Sequence, residues 1–224
     1  MDMRSGIQQS LHPSRSLRLV LISDTHELHR ELSVPDSDIL IHAGDFTMFS
    51  RSMSAVADFN AWLGELPCSW KVLVPGNHES FLEADPSKRS MLSNATVLIN
   101  EGIEIEGLRI WGSPVTPLSG GAFGLSSAED RRRLYAQIGK TDVLVTHGPA
   151  FGILDSPPAA EFHSGCPELL GAVKRVRPKL HIFGHVHGAY GIFQTDHTTF
   201  ANAALLGVDG GLDRSPIVLQ MRAT

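Results

Sequence analysis

Eight side chains able to bind a metal ion or move a proton lie directly beyond short apolar runs. They are Asp24 and His26 in SDTH, Asp45 in GDF, Asn77 and His78 in GNHE, His147 in THGP, and His185 and His187 in GHVH. Carboxylate, imidazole and amide make up the set and no cysteine joins it. That donor mixture suits divalent metals of intermediate hardness, Mn2+, Fe2+ and Zn2+ among them. With His78 left aside, seven ligand-capable side chains exceed what one tetrahedral site uses. They suit two metals sharing a carboxylate, an arrangement that serves phosphoryl displacement by activating a water.

The elements that must carry these side chains share one plan. LRLVLISDTH (17–26), DILIHAGDF (38–46), WKVLVPGNHE (70–79), DVLVTHGP (142–149) and LHIFGHVH (180–187) each run from Val, Ile and Leu into a polar cluster. Apolar runs without polar alternation predict strands buried on both faces. Helical spacing of apolar residues predicts helices over 52–66, 126–139 and 166–176, the second with Ser126 or Ser127 as N-cap. Further strands are predicted at 95–100, 102–112 with a hairpin turn at EGLR, 190–194, 198–203 and 215–222. The class is α/β, and in such sheets ligands bind beyond the carboxyl ends of the strands, where all five clusters fall. Glycines 44, 76 and 184 precede ligand candidates and are expected to let the backbone turn sharply or approach closely.

Length and composition narrow the function. The 224 residues predict one domain over 17–224, preceded by a polar, flexible tail over 1–16. A formal charge of −5 argues against long nucleic acid as a partner but not against a small anion met by metal ions. Cys68 and Cys166 stand outside any CxxC pair and read as free thiols of an intracellular protein. No run is long and apolar enough for a membrane span, and the first residues lack the apolar stretch of a signal peptide. The expected location is the cytoplasm, with no membrane partner.

The ordered series SDTH, GDF, GNHE, THGP and GHVH resembles the calcineurin-like metallophosphoesterase superfamily. THGPAFGILD, GCPELL and HIFGHVHGAYG resemble its small metallophosphoesterase-domain-containing phosphodiesterases and their bacterial relatives in particular. The resemblance implies a four-layer αββα sandwich of two mixed sheets. It implies one metal on Asp24, His26 and His187, a second on Asn77, His147 and His185, and Asp45 bridging them. His78 would act on the substrate as an acid, and Glu79 would hold the His78 ring in its tautomer. The implied reaction is in-line attack on a small phosphodiester by a hydroxide between two divalent ions, with cyclic nucleotides as candidate substrates. A phosphomonoesterase, including one acting on phosphoproteins, is the alternative enzyme. A scaffold or nucleotide binder without turnover is the alternative of another class.

The remaining polar residues carry plainer expectations. His181 lies four residues before His185, roughly 13 Å back along a strand, too far to share its ion. It is expected to pack in the core, as is His42, whose sharper reading is a partner that orients a ligand. His29, His163 and His197 are expected at the surface, and Arg131, Arg132 and Arg133 on a solvated helix face. Trp111, Phe123 and Phe151 lie in or beside the Gly- and Pro-rich loops 112–127 and 148–165. They are expected to pack, with a base-stacking platform as the functional alternative.

Overall fold

The computed structural model describes residues 15–158, 160, 162–207 and 209–222. The tail expected over 1–16 falls outside them except for Arg15, which pairs with Asp38, and Ser16, which opens the first strand.

Two mixed sheets lie face to face. Parallel strands β1 (Ser16–Ile22), β2 (Ile39–His42), β3 (Trp70–Leu73) and β4 (Thr96–Val97) run side by side in the first. The second joins the hairpin β5 (Glu101–Ile105) and β6 (Leu108–Ser113) to β7 (Val143–Thr146) and β8 (Leu180–Phe183). It ends with β9 (Gly191–Gln194) at the edge, antiparallel to β10 (Thr199–Asn202), which lies beside β8. The chain returns through β11 (Ile217–Arg222), antiparallel to β1. The orders are β11-β1-β2-β3-β4 and β5-β6-β7-β8-β10-β9.

Alternation along each strand explains the layers. Leu17, Leu19 and Leu21 of β1 meet Val143, Val145, Leu180 and Ile182 in the core between the sheets. Val20 and Ile22, on the opposite face, pack with Val56, Phe59, Trp62 and Leu63 of α1 (Met53–Glu65). Those four residues recur every three or four positions and form one apolar stripe. On the far side, α3 (Ala128–Ala136) and α4 (Pro167–Val176) cover Leu144 and Phe183. The short α2 (Ser80–Ala84) was not legible as a helix and follows the GNHE turn. Ser52 and Ser127 cap α1 and α3 by accepting the Ser54 and Asp130 N–H groups. Apolar side chains on both faces of both sheets thus demand four layers, helices outside and sheets within, as the resemblance implied.

Two surface expectations are corrected. His29 is buried, its ring between Phe59 and Trp62 and its Nε2 3.0 Å from Asp58 of α1. Arg131 is 7% exposed: its fork donates to Glu168 and to the carbonyls of Leu125 and Ser126. Those carbonyls end a loop and have no strand or helix to pair with, so a buried guanidinium supplies the donors. His163 and His197 are exposed. Cys68 and Cys166 are free and buried. Among the described residues no helix is long and apolar enough to cross a membrane.

Candidate metal centre

The site begins with strained backbone. Directly after β1 the chain turns with left-handed φ at Asp24 (54°), His26 (41°) and Glu27 (69°). After β2 and β8 the same happens at Asp45 (55°) and His185 (66°). Left-handed backbone costs a non-glycine residue about 1–2 kcal/mol and persists where surroundings enforce it. Three backbone hydrogen bonds do so here. Asp24, His26 and Glu27 N–H donate to Gly44, Asp45 and Phe46 carbonyls at 2.9, 3.0 and 2.9 Å. The turns after β1 and β2 are thereby laced together, and their side chains swing towards one cavity. Of the three glycines, only Gly44 has positive φ, 105°. Gly184 serves by close approach, since a Cβ there would collide with the Asp24 carboxylate and the Ser23 hydroxyl.

All seven ligand candidates converge. His147 Nε2 stands 2.8 Å from Asn77 Oδ1 and 3.3 Å from Asp45 Oδ2. His185 Nδ1 lies 2.9 Å from Asn77 Oδ1 and 3.2 Å from His147 Nε2. On the other side, His187 Nε2 is 3.3 Å from Asp24 Oδ1, and His26 Nε2 is 3.9 Å from Asp45 Oδ2. Donor atoms within 4.8 Å of one another form three sets: Asp24, His26 and His187; His26, Asp45 and His78; Asp45, His147 and His185. His26 belongs to the first two and Asp45 to the last two, so the sets form one chain of donors.

The donor set fits divalent cations. A carbonyl only accepts, so the Nδ1 atoms of His26 and His147, 3.2 Å from Thr47 O and 2.9 Å from Ala43 O, carry the protons. Their Nε2 atoms then face inward, and these are the atoms a metal would take as donors from the neutral rings. His26 Nε2 is buried and has no hydrogen-bond partner among the described residues. Asp24 and Asp45 are 0% and 3% exposed, two buried carboxylates that need compensating positive charge.

Electrostatics agree. Burial pushes the Asp24 carboxyl up, but the His187 hydrogen bond and the charges of His147 and His187 outweigh it and hold the group well below the usual range. Burial likewise opposes ionisation of Asp45, and the charge and hydrogen bond of His147 prevail. Burial disfavours the His147 cation, yet Asp45 raises its pKa to about 9. Burial and then the His147 charge push His185 down to about 4. Asp45 thus favours a proton on His147, which competes with a metal for the same Nε2.

Glu79 departs from its expected role. Its carboxylate accepts from the Asp45, Gly76 and Thr47 N–H groups and the Thr47 hydroxyl, at 2.7–2.9 Å, and does not touch the His78 ring. Burial and the Asp45 charge raise it to about 7, against those hydrogen bonds. The His78 tautomer is set elsewhere: the Phe49 N–H donates to Nδ1 at 3.3 Å, which leaves the proton on Nε2. His78 Nε2 lies 3.7 Å from Asp45 Oδ2, beyond hydrogen-bond length. Burial lowers the His78 pKa, against the pull of the Asp45 charge, and so favours the neutral ring.

Both long loops reach this edge. Ala122 N–H donates to Asn77 O at 2.8 Å, and Pro157 packs where a Gly188 Cβ would stand. Phe123 and Trp111 pack against the core, whereas Phe151 is 40% exposed beside His163. The open cavity has a volume of about 270 Å³, and Met48 and Leu206 are its apolar wall. Neither was singled out in the sequence. Met48 had a signal, three residues past Asp45 in the same turn; Leu206 had none.

A family model described as calcineurin-like phosphoesterase matches residues 17–189. The chain belongs to the calcineurin-like phosphoesterase family. Metallophosphoesterase domain-containing protein 1 of Homo sapiens is 36% identical over 236 residues, covering 93% of this chain and 72% of that protein. A UPF0046 protein of Caenorhabditis elegans is 40% identical over 212 residues, covering 84% and 75%. The crystal structure of TT1561 of Thermus thermophilus superposes over 94% of this chain and 100% of its own, with a TM-score of 0.57. At 12% identity that likeness shows the fold alone. Membership in the phosphoesterase family supports a metal-dependent hydrolase acting on phosphoesters. The Asp and His groups of this phosphoesterase are able to bind the metal.

Proposed function

We propose that this phosphoesterase hydrolyses small phosphodiesters with two divalent cations, cyclic nucleotides being the first substrates to test. The observation that carries the two-ion reading is the position of Asp45. Its carboxylate faces His26 on one side and His147 on the other, at 3.9 and 3.3 Å. Asp24, His26 and His187 would hold one ion, Asn77, His147 and His185 the other, and Asp45 both. Bound there, the ions supply positive charge for a phosphoryl oxygen and lower the pKa of a water.

The protein's own groups do the rest. His78 keeps its Nε2–H at the cavity, where it would donate a hydrogen bond to the leaving oxygen as the P–O bond to it breaks. Glu79 fixes the Asp45 and Gly76 backbone and so positions Asp45 and Asn77 without touching substrate. The preference for diesters rests on charge. Among the described residues no Lys or Arg lines the cavity, so the additional anionic oxygen of a monoester would meet no side-chain cation there. The small volume favours a small substrate over long nucleic acid.

The test is a substrate panel on metal-stripped protein reloaded with Mn2+, Fe2+ or Zn2+ in turn. It includes 2′,3′- and 3′,5′-cyclic nucleotides and one aryl group offered as mono- and diester. Faster turnover of the diester is expected, with Mn2+ supporting it. Faster turnover of the monoester would make the protein a phosphomonoesterase. Metal binding without turnover of any ester would leave a scaffold.

A further inference from the structure

The turn between β2 and α1 shows a local arrangement that neither the core nor the ligand set requires. Phe49 and Ser50 are consecutive non-glycine residues with left-handed φ, 58° and 52°. The Phe49 ring is 53% exposed, so burial does not explain why an aromatic stands there. That ring stacks on the His78 imidazole with centroids 3.8 Å apart and planes inclined by 22°. The backbone of the same residue donates to His78 Nδ1 at 3.3 Å. Ser50 Oγ donates to the His78 carbonyl at 2.6 Å, and Ser50 N–H donates to Thr47 Oγ1 at 3.2 Å. The Arg51 guanidinium lies over the Phe49 ring, 5.5 Å from its centroid. The edge-on His26 ring, 4.6 Å away, is the other ring against His78.

We propose that Phe49 is a positioning residue for His78: its ring sets the plane of the imidazole and its N–H fixes the tautomer that presents the Nε2 proton to the leaving oxygen. The left-handed pair is what lets one residue do both. With φ at 58° the Phe49 N–H aims at Nδ1 while the side chain lies over the same ring. A strained conformation beside a reactive group, held by several hydrogen bonds, is a pattern found at functional sites. The inference rests on the phosphodiesterase reading above and deepens it. In the step concerned, the new P–O bond is to water-derived oxygen and the bond to the leaving oxygen breaks. The neutral His78 ring donates a hydrogen bond from Nε2–H to that oxygen as charge develops on it, and the departing alkoxide takes its proton from solvent water. A leaving group of low pKa gains little from that hydrogen bond and one of high pKa gains much, which provides the readout.

The experiment compares Phe49→Ala, Phe49→Leu, Phe49→Tyr and His78→Gln with the unaltered protein, loaded with Mn2+. Two diesters are used that differ only in the leaving group, 4-nitrophenoxide and methoxide. For Phe49→Ala and Phe49→Leu we expect kcat to fall about tenfold or more with the methyl ester and little with the nitrophenyl ester. KM and bound metal should stay unchanged, Phe49→Tyr should restore the rate, and His78→Gln should show the same split more strongly. Equal loss on both esters, or a change confined to KM, would overturn the positioning role. Failure of the unaltered protein to cleave either ester would instead count against the proposed function, so the two failures are distinguishable. Phe49→Leu keeps an apolar side chain at a half-exposed site, which guards against a variant that does not fold.

Discussion

Each sheet buries one histidine in a strand beside the site, and the two are used differently. His42 on β2 and His181 on β8 are 1% and 0% exposed. Both reach a threonine hydroxyl on the neighbouring ligand-bearing segment: Thr25, between Asp24 and His26, at 3.0 Å, and Thr146, before His147, at 2.8 Å. His42 uses both nitrogens. Its Nδ1 accepts the Gly44 N–H at 3.1 Å, so its Nε2 proton goes to Thr25, and one ring clamps the turns carrying Asp24 and Asp45. His181 uses one. The Thr146 hydroxyl donates to Gly148 O at 2.7 Å, so it accepts from His181 Nε2, and Nδ1 has no partner among the described residues. His42 thus joins two ligand-bearing turns, whereas His181 holds one hydroxyl and joins nothing.

The largest effect should come from the residue between the two halves. Asp45→Asn is expected to lower kcat by two or more orders of magnitude, following loss of charge where both ion sites meet, while the thermal midpoint changes little. A near-normal rate would refute the shared role. Next is the clamp: His42→Leu should weaken metal binding about 10- to 100-fold, as loss of a supporting partner does. Titration of the apo-protein with Mn2+ measures it, and unchanged affinity would erase the contrast with His181.

Stability against pH sharpens the same contrast. Burial alone pushes His181 down to about 3, from an ordinary 6.5. The unfolded chain therefore takes up a proton below about pH 6.5 that the folded chain refuses, and stability is lost as pH falls. The slope is about 1.4 kcal/mol per pH unit for one such group. His181→Gln should flatten the dependence of unfolding free energy between pH 6 and 4.5 by about that much, read from denaturant titrations. An unchanged slope would mean that His181 is protonated in the fold. The smallest effect is on activity: at neutral pH His181→Gln should keep most of the rate and its full metal content. Loss of metal would show that His181 belongs with His42 after all.

The five polar clusters were legible because two local rules coincide. Runs such as LVLI and ILIH, rich in Val and Ile, read as strands buried on both faces, and a parallel strand presents its carboxyl end to the ligand side of the sheet. Side-chain chemistry then named Asp24, His26, Asp45, Asn77, His147, His185 and His187 before any distance was known. What stayed hidden depends on partners far along the chain. The Glu79 carboxylate meets the Asp45 and Thr47 backbone, 34 and 32 residues away, rather than its neighbour His78. His29 is buried because Asp58 comes to it from α1, and Arg131 because Glu168 and two loop carbonyls need its fork.

By itself the sequence determined the strands, their order of chemistry and the donor types, since apolar periodicity and side-chain identity are local properties. Only the tertiary structure decided which way the side chains point. The left-handed turns at Asp24, His26, Asp45 and His185 run against local preference and exist because hydrogen bonds from distant segments, backbone carbonyls for the first two and the Glu79 and Asp24 carboxylates for the others, hold them there.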